Sequence, residues 1–269
     1  MVGRRVRGMR LTAFVLGPAG SGKTTFVASF SQWAYNESIP VLTLNLDPAA
    51  EDLPYIPDID IREYLTAREV MERYELGPNG AIVASMDLIL NYVEKLRSGV
   101  EDEEEGYVVI DTPGQMEVFA FRHSGEHVIR ELCTDKCVVI FLIDALLSTS
   151  PSNFISQVFL ATSIFYKLRL PQLNLLNKAD LLSQKDKERI REWSRNTDRI
   201  GEDLEIEAQG IERILTRNIL MAIKDFLDFS SISIVSSKTM EGFENVYLEL
   251  QKLYKGGEDF ELPEHLREF

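Results

Sequence analysis

Leu11-Thr12-Ala13-Phe14-Val15-Leu16-Gly17-Pro18-Ala19-Gly20-Ser21-Gly22-Lys23-Thr24 is the stretch that decides the fold. Its first six residues are a short apolar run that ends in glycine. The next eight fit Gly-x-x-x-x-Gly-Lys-Thr, and Thr24–Asn36 then carries apolar residues at helical spacing. Strand, glycine turn and helix start in that order make a cradle for phosphate. Glycine at 17, 20 and 22 lets the backbone wrap phosphate oxygens without a Cβ clash. The turn's amides point inward at an anion, and the helix opening near Lys23 adds its positive end. Lys23 is expected to reach the β- and γ-phosphates, and Thr24 to place its hydroxyl on Mg²⁺. Gly17, Pro18, Ala19, Gly20, Ser21, Gly22, Lys23, Thr24 and Thr25 are the expected phosphate-binding residues.

Similar runs recur along the chain. Val41–Leu46 closes in Asp47-Pro48, and Tyr107–Ile110 closes in Asp111-Thr112-Pro113-Gly114. Cys137–Ile143, Pro171–Leu176 and Ser231–Val235 follow, the last two ending at Asn177 and Ser236. None alternates with period two, so each reads as a strand buried on both faces of a parallel sheet. With helical segments between them, residues 1–269 are expected to form one domain. Its fold class is α/β, a doubly wound, mostly parallel sheet of the P-loop NTPase type with helical insertions. Ligands bind at the carboxyl edge of such sheets, and every motif sits at the end of a run.

Two helical insertions are expected, at 50–100 and 183–224. The first carries Gly77-Pro78-Asn79-Gly80, a strong turn signal. The five acids Glu101–Glu105 read as a solvated loop. The acidic tail 256–269 is either a frayed terminus or a docking segment. A net charge of −14 argues against direct nucleic-acid binding and favours either solubility or a basic protein partner. No apolar run is long enough to span a bilayer, and the basic start Met1–Arg10 runs into the first strand rather than a secretory signal. A cytoplasmic location and no membrane contact are therefore expected. Cys133 and Cys137 are too few for a disulfide scaffold. Four residues apart, they can share a helix face, and without a His pair they make a poor zinc site, so a buried structural role is expected.

Asp111 is expected to hold Mg²⁺ through water, opposite Thr24. The Gly114 amide is placed to sense the γ-phosphate, and Gln115 to orient the attacking water. Asp47 is either a second carboxylate that orients water or touches Mg²⁺, or a residue that ends the strand in a turn. Glu117 either supports the water or is a surface charge. Asn177-Lys178-Ala179-Asp180 is the guanine-reading pattern Asn-Lys-x-Asp. A carboxylate at Asp180 accepts both guanine N–H donors, whereas adenine leaves it unpaired at a cost. The Lys178 stem can lie over the base, and Asn177 can brace neighbouring loops. Ser236-Ser237-Lys238 fits a loop whose backbone amides meet the guanine oxygen.

On Gly17–Thr24, Asp47, Gly77-Pro78-Asn79, Asp111–Gln115 and Asn177–Asp180, the chain resembles the GPN-loop GTPases, P-loop GTPases of the SIMIBi class. The resemblance runs from Arg10 to Leu253. It implies a homodimer with facing nucleotide sites, in which each Gly-Pro-Asn loop reaches the partner's phosphates and Asn79 supplies a polar contact. It implies Asp47, Gln115 and Glu117 around the attacking water without an arginine finger. It also implies conformational change driven by GTP and GDP, and a link to assembly or import of RNA polymerase. The expected function is thus a Mg²⁺-dependent GTPase acting as a homodimeric switch, with a protein partner of unknown identity. The other readings are a GTP-binding assembly scaffold with negligible turnover and a nucleotide-dependent kinase. Asn177–Asp180 argues against the kinase, since most such kinases use ATP.

Overall fold

The apolar runs become strands because both faces of the sheet they form are covered. The computed structural model describes residues 10–102, 106–207 and 211–255. Its strands are β1 (Arg10–Leu16), β2 (Val41–Asn45), β3 (Ile59–Asp60), β4 (Gly106–Asp111), β5 (Lys136–Asp144), β6 (Gln172–Asn177) and β7 (Ile232–Ile234). They pair in parallel in the order β3-β2-β4-β1-β5-β6-β7. In β5, Val138, Ile140 and Leu142 enter one core while Val139, Phe141 and Ile143 enter the other. Two opposed cores remove the polar alternation that a one-sided sheet would show.

Eleven described helices pack on this sheet. They are α1 (Lys23–Asn36), α2 (Ala67–Arg73), α3 (Pro78–Leu88), α4 (Val93–Asp102), α5 (Met116–Ala120), α6 (His123–Leu132), α7 (Pro151–Leu168), α8 (Gln184–Arg195), α9 (Thr197–Glu207), α10 (Ile211–Phe229) and α11 (Phe243–Lys255). α1 and α11 cover one face, and α2 to α10 contribute to the core on the other. The register aligns the strand ends. Asp111 pairs with Val15 on one side and Asn45 on the other, and Asp144 pairs with Asn177. The loops after β1, β2, β4, β5, β6 and β7 therefore open on one edge.

The insertion at 50–100 is mostly helical and also holds β3, which pairs through Leu44 and Ile59. A two-residue strand leaves no period to read. It is pinned by Asp58, whose Oδ2 accepts from the Thr43 N–H at 2.7 Å and the Thr43 hydroxyl at 2.8 Å. The Gly77-Pro78-Asn79 turn is instead the start of α3, with Gly77 at the N-cap and Pro78 at the first position, where a missing N–H costs nothing. The second helical insertion runs past residue 224, since α10 continues to Phe229. Cys133 and Cys137 do not share a helix face. Cys133 caps the end of α6, Cys137 lies in β5, and the two are joined as a disulfide across a Cα separation of 5.8 Å.

The first two acids of the run at 101–105 belong to α4, and 103–105 lie outside the described residues, as do 1–9 and the tail 256–269. Among the described residues no helix is long and apolar enough to cross a membrane.

α11 is anchored by its first residue. Phe243 is fully buried, with ring centroids 5.4 Å from Phe26, 5.6 Å from Phe30 and 6.3 Å from Trp33. Removing a core aromatic ring costs its transfer energy plus that of the cavity left behind. Phe243→Ala is expected to lower stability by about 3–5 kcal/mol in urea unfolding with an unchanged slope. A loss under about 1 kcal/mol would show that the cluster collapses around the gap.

Candidate nucleotide site

The loop between β1 and α1 is shaped by its glycines. Gly22 has φ +94°, and a Cβ there would lie 2.7 Å from Asn177 Nδ2, so a side chain fails on both backbone and space. Gly22 is also the N-cap of α1, where no side chain caps the helix and no acid stands in the first turn. The first amides are thus not taken up by a side chain and face an anion favourably. Ala19 and Gly20 are exposed at the loop's tip, while Ser21 is buried with its hydroxyl unpartnered. Thr25 is exposed one position beyond Thr24.

Lys23 closes the loop from inside. Its Nζ donates to the carbonyls of Gly17 at 2.8 Å, Pro18 at 3.1 Å and Gly114 at 3.1 Å. Burial pushes its pKa down, and the charges of Asp111, Asp47 and Glu117 oppose that shift. One cation among three carboxylates is the electrostatic centre of the site. Asp111 ends β4 at 1% exposure, and burial pushes its carboxyl up to about 6, opposed by the nearby Thr24 hydroxyl and Lys23. Asp111 Oδ1 has no hydrogen-bond partner. An orphaned carboxylate oxygen beside a threonine hydroxyl fits Mg²⁺, a hard ion bound by one or two protein oxygens plus phosphate and water. Among the described residues no three His, Cys, Asp or Glu side chains are grouped so as to hold a metal ion by themselves, so phosphate and water would supply its remaining ligands.

Asp47 is bonded on both oxygens. Oδ1 accepts from the Ala49 N–H at 2.9 Å, and Oδ2 from the Gly114 N–H at 3.2 Å. The strand-ending turn is thus present, and the same carboxylate takes the amide of Gly114, the expected γ-phosphate sensor. Asn45 braces this turn, its Oδ1 accepting from the Asp47 N–H and its amide donating to Asp60 Oδ1. Gln115 and Glu117 are exposed at the start of α5, and Gln115 does not cap that helix with its side chain. Tyr55, unmarked in the sequence, donates its hydroxyl to Asp111 Oδ2 at 3.4 Å. Burial and then the Asp111 charge raise its pKa, so it stays a donor.

At the end of β6, Asn177 is 1% exposed and bonded at both ends of its amide. Its Nδ2 donates to the Ser21 carbonyl at 3.0 Å, and its Oδ1 accepts from the Ser237 N–H at 3.0 Å and the Ser237 hydroxyl at 2.8 Å. Asp180 Oδ1 accepts from the Ser236 hydroxyl at 2.7 Å. The serines therefore act differently from expectation. The Ser236 amide donates to the Glu241 carbonyl and the Ser237 amide to Asn177, so neither faces outward, whereas among the described residues the Lys238 amide has no partner. Lys178 sits at φ +69°, and its Nζ bonds Asp144 Oδ2 at 2.6 Å. Asp144 was missed, although its run ends in a polar residue just as the next one ends in Asn177. Asn79 is exposed in the first turn of α3, outside the hydrogen-bond network of the site.

A family model described as "Conserved hypothetical ATP binding protein" matches residues 15–256. The GPN-loop GTPase 1 of Dictyostelium discoideum is 34% identical over 255 residues, which cover 91% of this chain and 63% of that protein. The namesake in Saccharomyces cerevisiae is 33% identical over 245 residues, again 63% of its length, so this chain spans less than two thirds of either relative. The GPN-loop GTPase PAB0955 of Pyrococcus abyssi is 33% identical over 233 residues, 86% of this chain and 92% of that protein. The crystal structure of PAB0955, a GTPase in apo form, superposes with a TM-score of 0.79 at 31% identity over 91% of this chain and 97% of that one. With glycine loop, Asp111 and Asn177–Asp180 on one sheet edge and similarity along nearly the whole chain, this protein belongs to the GPN-loop GTPase family.

Proposed function

We propose that this protein binds GTP with Mg²⁺ at this edge, hydrolyses it to GDP and phosphate, and works as a homodimeric switch. The observation that carries the reading is the Asn177 side chain, which ties the Asn-Lys-x-Asp loop to the phosphate loop through Ser21. Two loops fixed to each other can grip the two ends of one nucleotide. Asp180 keeps carboxylate lone pairs beyond the one that Ser236 occupies, enough for the N1–H and amine of guanine. Adenine has no such donor pair, so Asp180 argues for GTP even where the family model's description says ATP.

Lys23 and the first amides of α1 are the groups for the phosphates. Thr24 and Asp111 would hold Mg²⁺, which would supply charge to neutralise the phosphates. To Gln115 and Glu117, exposed at the start of α5, and Asp47, held by the Ala49 and Gly114 amides, we assign the orienting of water for in-line attack at phosphorus. The dimer rests on the family resemblance and on Asn79, exposed where a second chain can meet it. Service in assembling a larger complex such as RNA polymerase rests on that resemblance alone.

Lys23→Ala is expected to weaken GTP binding by about 100-fold, the loss of charge-assisted hydrogen bonds. Gln115→Ala should slow turnover by about 100-fold and leave the GTP dissociation constant within about threefold. Equal loss of binding and turnover in the Gln115 variant removes it from the water. Asp180→Asn is expected to lower GDP affinity by about 100-fold and to admit xanthosine diphosphate, whose C2 oxygen accepts from the new amide. If the variant binds GDP as the parent does, Asp180 does not read the base. Light scattering should find the mass of two chains with a non-hydrolysable GTP analogue, and a single chain under that condition contradicts the dimer.

A further inference from the structure

We propose that Asp144 is a positioning residue for the purine, holding the Lys178 stem where it covers one face of the ring. The inference rests on guanine-nucleotide binding at this edge and adds a residue that the motif does not contain. Lys178 leaves the end of β6 with φ +69°, a conformation that side chains other than glycine rarely adopt. Its stem then passes the phosphate loop, with Cε 3.9 Å from the point that a Cβ on Gly22 would occupy. It ends at Asp144 Oδ2, 2.6 Å away. The cation is thus anchored across to β5 rather than left to swing in water. What remains along the rim is the aliphatic stem, and an aliphatic surface is what the face of a purine packs against.

The anchor is itself fixed. The Asp144 N–H donates to Gln157 Oε1 at 2.8 Å, and its carbonyl accepts from Gln157 Nε2 at 3.1 Å and from the Ser148 hydroxyl at 2.7 Å. Gln157 and Ser148 are both buried. The second carboxylate oxygen, Oδ1, accepts from the amides of Leu146 at 2.9 Å and Leu147 at 3.4 Å. One carboxylate therefore braces the turn after β5 and the lysine after β6. Neither Asp180 nor Asn177 does this, because their bonds go to Ser236, Ser237 and Ser21.

A residue that sets the ring's face and not its edge makes a separable prediction. Asp144→Asn keeps an oxygen for the Leu146 amide and loses the charge that anchors Lys178. GDP affinity measured by calorimetry should fall about tenfold, the size of a coupled side-chain pair. Affinity for inosine diphosphate should fall by the same factor, because the edge-reading Asp180 is untouched, and the urea midpoint should stay at the parent's value. In a Lys178→Met background, which keeps a stem without a charge, Asp144→Asn should cause no further loss. Should Asp144→Asn fold poorly, Lys178→Ala tests the same clamp by removing the stem, with a loss of at least the same size expected.

Asp144→Asn binding GDP as the parent does, a full additional loss in the Lys178→Met background, or Lys178→Ala binding as the parent does would each overturn the proposal. A parent protein that does not bind GDP at all would instead overturn the functional reading beneath it.

Discussion

A buried side-chain amide must satisfy both its ends, and Asn177 does so by bonding two different loops. Its nitrogen reaches the phosphate loop at Ser21, and its oxygen takes the amide and hydroxyl of Ser237. The glycine loop, the Asn-Lys-x-Asp loop and the loop before α11 are therefore positioned by one residue. Gly22 is the matching constraint, since only a residue without a Cβ leaves room for the Asn177 nitrogen. The parallel register supplies the rest by setting the ends of β1, β4, β5 and β6 on the same edge. Site geometry here follows from sheet geometry with a single side chain as the strut.

Electrostatics divides the edge into two halves with different logic. At the phosphate end a buried lysine stands among Asp111, Asp47 and Glu117, and the burial of Asp111 raises its carboxyl. The proposed nucleotide would bring its own charge and metal to this cluster. At the base end the charges are already paired, Lys178 with Asp144, and Asp180 is oriented by a hydroxyl rather than a cation. The proposed purine is neutral and needs direction more than charge, and a carboxylate without a lysine partner would keep its acceptors for the ring.

Much of this was legible in the sequence because the chemistry sits where apolar runs stop. Gly17–Thr24, Asp111 and Asn177–Asp180 could be placed on the sheet edge from run lengths and residue types alone. What escaped notice depends on distance in the chain. Tyr55 meets Asp111 from 56 residues away, and Asp144 meets Lys178 from 34 away, with no local pattern to announce either contact. β3 is too short to show a period, and the Cys133–Cys137 bond depends on a turn from α6 into β5 that spacing alone does not show. The serines after β7 lie on the same sheet edge, but which of their groups stay open there depends on which partners take the amides. Asn79 is exposed in this chain, and its proposed contact would lie in a second copy.

The central claim is that one molecule is held at both ends by loops that Asn177 joins. Titration calorimetry of the unmodified protein in Mg²⁺ with GDP, ADP, guanosine and pyrophosphate tests it in one series. The account predicts that GDP binds far more tightly than guanosine or pyrophosphate alone, and at least 100-fold more tightly than ADP. ADP binding as well as GDP, or GDP no better than pyrophosphate, would contradict it.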